Sequence, residues 1–167
     1  AVREGGVRHD ADLDAQLAER VPDELVMRDA GEFGEDRIGV DDAALAVAPE
    51  AIVAEVLESG LRGRGGAAFP AGIKWRTVAA EPATQKYVVC NADEGDSGTF
   101  ADRMLLEGDP FLLLEGMTIA ARAVGASRGF VYVRSEYPDA VATLRAAIEA
   151  ARAAGWLGAG AAGEGRP

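Results

Sequence analysis

The 167-residue chain is poor in the residues that most often carry chemistry or covalent crosslinks: it has one cysteine and one histidine. A single thiol closes no internal disulfide, and it is too few for an iron–sulfur cluster, which commonly takes four thiolates. His9 stands in a strongly acidic stretch, which makes a histidine base for serine or cysteine catalysis improbable. Aromatic residues make up only 6% of the chain, whereas 34 Ala and 21 Gly together supply a third of it. A core must therefore come from small side chains and closely approaching helices. Long apolar runs are also missing. The longest, from Phe111 to Val124, is interrupted by Glu115 and Arg122 and falls short of the roughly 20 apolar residues of a membrane span. The opening AVREGGVRHD shows no basic region followed by an apolar run, so no signal peptide is expected and the default compartment is cytoplasmic. No basic stripe interleaved with aromatics is present, which argues against nucleic-acid binding.

The net charge of -11 is unevenly placed. Residues 1–60 hold 5 basic and 16 acidic side chains, whereas residues 61–167 hold 12 of each and are neutral. Residues 1–47 read as an acidic linker or truncated leader with one helix over Asp12 to Arg20. A domain then begins at about residue 48. Pro49 at a first-turn position, apolar residues at 52, 53, 56 and 57, and Gly60 at the end predict a helix. Leu61 to Trp75, with glycines at 63, 65, 66 and 72 and a proline at 70, reads as an irregular loop.

After a turn at Pro82, Lys86 to Cys90 is a short apolar run suited to a buried strand, and it stops at Asn91-Ala-Asp-Glu-Gly-Asp-Ser-Gly98. Asp109-Pro110 predicts a capped helix reaching Gly125, and Gly129 to Arg134 a second strand. Pro138 opens a last helix with residues 141, 144, 148 and 151 on one face, closed by Gly155. A crossover of this length between apolar strands favours a parallel pair, hence an α/β layer.

Two clusters could bind something. The loop carrying Gly63, Arg64, Gly65 and Gly66 does not fit a dinucleotide fingerprint, which follows a strand and opens a helix; this string follows a helix and meets Pro70. Its backbone N–H groups could still approach an anion or a planar ring closely, with Arg62, Arg64 and Lys74 supplying positive charge. A plain glycine-rich connection is the equal alternative. The second cluster, Asn91, Asp93, Glu94 and Asp96, lies at a strand's carboxyl end, where open α/β sheets put their ligands. A calcium loop would need Gly where Asp96 stands, and no histidines accompany the carboxylates for a transition metal. Recognition of hydroxyl and N–H groups on a sugar or flavin edge is a second use, and a solvated Asp/Gly turn is the third. Cys90 reads as a small hydrophobe, and Trp75 and Trp156 as packing residues rather than stacking platforms. The inventory suits chemistry carried by a bound cofactor.

With GLRGRGGAAFPAGIKW (60–75) and CNADEGDSGTFADR (90–103) in order, the chain resembles the flavin-bearing NADH dehydrogenase subunits shared by respiratory complex I, NAD-reducing hydrogenases and NAD-dependent formate dehydrogenases. The resemblance runs from about Pro49 to Gly160 and continues through EGDPFLLLEGMTIAARAVGA and GFVYVRSEYP. The Asp-Ser-Gly-Thr-Phe-Ala-Asp form looks most like the formate dehydrogenase β subunit.

The resemblance implies an α/β Rossmann-like FMN-binding layer, incomplete in this chain, with hydride passing between NAD(H) and FMN and electrons leaving singly to iron–sulfur centres. It implies Gly63, Arg64, Gly65, Gly66 and Lys74 around FMN, and Asn91 and Asp93 on its polar edge. Phe69 would stack against NADH, with Lys74, Glu94 and Asp96 near the nicotinamide and Glu94 as the catalytic residue. Gly in place of Ala68, Glu in place of Asp96 and an aromatic near Thr77 are usual in complex I members, so the nicotinamide contacts depart from the pattern more than the flavin ones. A second glycine-rich segment and a four-cysteine 4Fe–4S domain would follow Pro167, making the chain an N-terminal fragment whose partners include an iron–sulfur subunit. A nucleotide-binding or assembly module without redox chemistry is the rival of another class.

Overall fold

The computed structural model describes residues 26–28 and 47–158. In chain order the elements are strand β1 (Val26–Arg28), helices α1 (Pro49–Glu58) and α2 (Ala71–Ala80), strand β2 (Tyr87–Ala92), helices α3 (Ala101–Gly108) and α4 (Pro110–Val124), strand β3 (Arg128–Val133) and helix α5 (Pro138–Ala153). The three strands form one sheet in the order β1-β3-β2. β2 and β3 are parallel, with Val89 opposite Phe130 and Asn91 opposite Tyr132. β1 adds antiparallel to the other edge of β3, pairing Val26 with Phe130. The α/β layer is thus present, with a parallel pair and a crossover of two helices.

Local signals explain most boundaries. Pro49, Pro110 and Pro138 each occupy a first helical position, where the missing N–H has no helical partner to lose. Asp109 caps α4 by accepting a 3.1 Å bond from the Leu112 N–H, and Gly125 closes the helix at φ 74, a left-handed value that glycine adopts without steric cost. The last helix buries Leu144, Ile148 and Ala151 along one face, with Ala140 and Ala147 beside them. These alanines let α5 sit close to the rest of the core, which gathers Leu106, Leu114, Met117, Val131 and Tyr137. A second core joins Ile52 and Val53 of α1 to Ala123 and Val124 at the end of α4, with Trp75 partly buried against them. α4 therefore connects two apolar clusters, one at each end.

Three expectations change. Leu61 to Trp75 is irregular only as far as Pro70, which becomes the N-cap of α2. The proline does not break the glycine string from a helix but starts one, because its fixed φ suits a helix entry. α2 reads poorly in sequence because its buried contact is made by a glycine: a Cβ on Gly72 would lie 2.7 Å from Leu57 Cα. The space a side chain would fill is occupied by the backbone of α1. α3, between Phe100 and Asp109, has no counterpart in the sequence reading, since it is short and Leu106 is the only one of its eight residues that is buried. In the acidic leader, Val26–Arg28 forms a strand, while the expected helix over residues 12–20 lies outside the described residues.

The sheet is covered on one side only, among the described residues. Ala92 and Val131 are buried beneath α4 and α5, whereas Val89 and Tyr132 on the other face are 66% and 60% exposed. No helix among the described residues is long and apolar enough to cross a membrane.

Candidate functional site

The glycine loop is closed on itself by its own backbone. The Ala71 N–H donates to Leu61 O at 2.8 Å, Gly63 N–H to Phe69 O at 2.9 Å and Ala68 N–H to Gly65 O at 3.0 Å. Arg62 reaches across the loop, its Nη1 donating to Ala68 O at 3.1 Å. These bonds tighten a turn over residues 65–68, and Ala68 takes φ 44 to complete it. An L-residue other than glycine is strained there.

The consequence is a row of unused donors. The N–H groups of Arg64, Gly65, Gly66 and Ala67 make no hydrogen bond among the described residues, and all four residues are exposed. A Cβ on Gly65 or Gly66 would meet nothing within 4 Å, so open space faces this stretch of backbone. The Lys74 ammonium, one turn into α2, has no acceptor or ion-pair partner among the described residues. Phe69, five residues earlier and just ahead of α2, is 48% exposed. Free amides, an unpaired cation and an exposed ring fit an anionic, planar ligand.

The acidic turn is built differently. Asn91 is the second-to-last residue of β2, and its Oδ1 accepts from the Asp93 N–H at 3.1 Å, folding the chain back just past the strand. Glu94 follows at φ 48. Its Oε1 accepts from the Asp102 N–H at 2.9 Å and its Oε2 from the Arg103 N–H at 3.0 Å. Both donors belong to the first turn of α3, whose own N-cap, Phe100, has no side-chain acceptor to offer. Glu94 thus satisfies two of the helix's orphan N–H groups and places its charge at the positive end of the helix.

Arg134 holds the other side of the turn. It follows β3 directly, and the parallel register sets it beside the end of β2. Its Nη1 donates to Glu94 O at 3.1 Å while Nη2 binds Glu136 Oε1 at 3.0 Å. The hydrogen bond from Arg134 pulls the exposed Glu136 carboxyl down to about 2. The Arg134 and Arg103 guanidinium carbons each lie 5.5 Å from the centroid of the Tyr137 ring. Arg103 is further fixed by Glu107 at 2.8 Å. Burial, and then the charge of Glu94, push the Asp102 carboxyl up. Burial, and then Asp102, push the Cys90 thiol up, in keeping with its packing against the core.

The sequence-derived candidates therefore fall in two places. Gly63, Arg64, Gly65, Gly66 and Phe69 line the loop with Lys74 just beyond it, and Asn91, Asp93, Glu94 and Asp96 form the turn. No hydrogen bond or ion pair joins loop to turn among the described residues. Nor do the acidic side chains converge with two others as metal ligands would, among the described residues. Sequence reading missed Arg134, Asp102, Arg103 and Tyr137. Parallel pairing of β2 and β3 was the available signal for Arg134, since it brings both carboxyl ends to one edge.

An open α/β layer with an unsatisfied glycine loop and a polar turn at the carboxyl end of a parallel strand is the layout of a nucleotide-cofactor domain. The chain belongs to the Nuo51 FMN-binding domain family, whose model matches residues 56–163. It is 53% identical over 121 residues to the NADP-reducing hydrogenase subunit HndC of Solidesulfovibrio fructosivorans, covering 72% of this chain and 24% of that one. It is 47% identical over 124 residues to an NADH-quinone oxidoreductase subunit of Aquifex aeolicus, covering 74% and 29%. The crystal structure of an NAD+-reducing NiFe-hydrogenase in the air-oxidized state superposes with a TM-score of 0.63 at 38% identity, over 85% of this chain and 22% of the other. The chain thus spans about a quarter of the length of these relatives.

Proposed function

We propose that this chain is part of an electron-entry or electron-exit subunit, in which hydride passes between NAD(H) and FMN and electrons continue to iron–sulfur centres. The observation that carries the reading is the loop: the N–H groups of four adjacent exposed residues have no acceptor among the described residues, and a Cβ at Gly65 or Gly66 would meet open space. The flavin, when bound, supplies the redox chemistry. The residues of this chain orient it. Gly63, Arg64, Gly65 and Gly66 would lie against the flavin and Lys74 would offset negative charge on its reduced form, with Asn91 and Asp93 at the polar edge. Phe69 would pack on NADH, and Asp96 would lie near the nicotinamide. The 48–167 segment is then the N-terminal part of the FMN/NADH domain, following an acidic leader. Two rings held in register need no protein base, which agrees with the single histidine.

The subunit works within a multi-subunit cytoplasmic dehydrogenase beside an iron–sulfur subunit. The run Asp96-Ser-Gly-Thr-Phe-Ala-Asp102 supports an NAD-dependent formate dehydrogenase as that complex. A diaphorase subunit of a hydrogenase is the second reading, favoured by the 53% identity to HndC.

The test is flavin content. The full-length subunit, purified with its partners, is expected to be yellow and to release FMN on denaturation. Gly65→Val places its side chain where the chain itself has room, so the fold should persist while bound FMN falls below roughly a tenth of wild type by obstruction of the backbone approach. A colourless wild-type subunit would favour the non-redox nucleotide-binding module. Normal FMN content in Gly65→Val would remove the loop from the site.

A further inference from the structure

We infer that Glu94 is a positioning residue for the cofactor turn, acting with Arg134, and not a group that touches the dinucleotide. The inference rests on the FMN reading above and assigns this residue's part in it. Glu94 directly follows Asn91 and Asp93, the residues assigned to the flavin's polar edge, so holding its backbone holds the part of the turn that presents those two side chains. That backbone is strained: φ 48 disfavours any residue with a Cβ. The strain is held by three bonds from two other elements, the Asp102 and Arg103 N–H groups of α3 and Nη1 of Arg134 beyond β3.

Each anchor is itself fixed. The two N–H groups belong to a helical turn and have no acceptor within the helix. The Arg134 guanidinium is forked onto Glu136 and lies over Tyr137. Both carboxylate oxygens of Glu94 point at α3, which turns the charge away from a ligand on the far side of the turn. A glycine at position 94 would accept the backbone angle but lose the two bonds to α3. A glutamate supplies both bonds, and they hold the residue at the unfavourable angle.

The full-length subunit with its partner subunits is the material for the test, and FMN itself is the probe. Glu94→Ala is expected to raise the FMN dissociation constant about tenfold, the scale of losing a charged helix cap. Amide exchange should accelerate over residues 101–104, and the KM for NADH at saturating FMN should stay within about twofold of wild type. Glu94→Asp, which keeps one acceptor within reach, should recover most of the FMN affinity. Arg134→Met should weaken FMN as Glu94→Ala does, while Glu136→Gln, which leaves the Arg134 bond to Glu94 in place, should not. If Glu94→Ala fails to fold, the Asp and Arg134 variants carry the comparison. Wild-type FMN affinity in Glu94→Ala and Arg134→Met, or normal FMN affinity with a tenfold higher KM for NADH, would overturn the assignment. Failure of the wild-type subunit to take up FMN would instead overturn the function proposed for the site.

Discussion

The glycine loop and the acidic turn solve opposite problems. The loop is closed by its own backbone, carbonyls to N–H groups within eleven residues, and leaves four N–H groups without an acceptor among the described residues. The turn holds two local bonds, Asp93 N–H to Asn91 Oδ1 and Thr99 N–H to Asp96 O, and takes its other partners from α3 and from the residue after β3. A loop of glycines has no side chains with which to reach neighbours, so its shape must come from local bonds, and its unused N–H groups become available to a ligand. A turn of acids can reach, and its carboxylates are drawn to the nearest uncompensated positive ends. Both contain one strained residue, Ala68 in the loop and Glu94 in the turn. The methyl of Ala68 makes no polar bond in return for its strain, whereas Glu94 gains two from its side chain.

The contrast can be broken most severely at the base of the loop. Gly72→Ala forces a methyl to within 2.7 Å of the Leu57 backbone, which cannot move aside as a flexible side chain would. The expected loss is about 3 kcal/mol in denaturant unfolding, the upper range for overpacking, with α1 and α2 pushed apart and the loop spread with them. Stability within about 0.5 kcal/mol of wild type would show that the two helices are not in that contact.

A smaller change sharpens the comparison at the strained positions. Ala68→Gly should stabilise the protein by about 0.5 kcal/mol, the relief of a left-handed alanine less the greater freedom of glycine in the unfolded chain. Glu94→Gly should destabilise despite the same relief, since it gives up the bonds to α3. Equal signs for the two, read from urea midpoints, would mean that the turn is not held by its side chain.

The smallest effect is electrostatic and lies beneath the turn. Burial first, and Asp102 second, hold the Cys90 thiol above the ordinary range of a thiol, so it stays protonated at neutral pH and its alkylation should accelerate only at high pH. Asp102→Asn removes the second cause. The thiol then comes down, and alkylation at pH 8 should be faster than in the wild type, with burial still slowing it relative to a free thiol. An unchanged rate would place Asp102 out of range of the thiol.

Much of the fold was legible because its boundaries are marked chemically. Proline at three helix starts, Asp109 at a cap and Gly125 at a left-handed end are choices that only one local conformation rewards. The strands were read nearly in place, β2 extending two residues further into Asn91 and Ala92 than the apolar run suggested, because pairing with Tyr132 and Val133 continues after hydrophobicity stops. α2 was not legible, since the signal that positions it is a void for a side chain at Gly72. β1 was not legible either, because a three-residue edge strand leaves almost no pattern. At the site, the glycines and the Asn-x-Asp-Glu turn stood out as residue types, while Glu94's partners did not.

The amino-acid order alone determined the inventory: one thiol, one histidine, a glycine loop with two arginines and a lysine nearby, and a carboxylate turn ending a strand. It also determined the alternation of strand and helix, since capping and periodicity act over a few residues. What Glu94 does with its charge and which arginine meets the turn were decided only by tertiary structure. Those outcomes depend on separations of 8, 9 and 40 residues closing to hydrogen-bond distance. No local propensity encodes such a distance; the parallel register of β2 on β3 and the docking of α3 on the core create it.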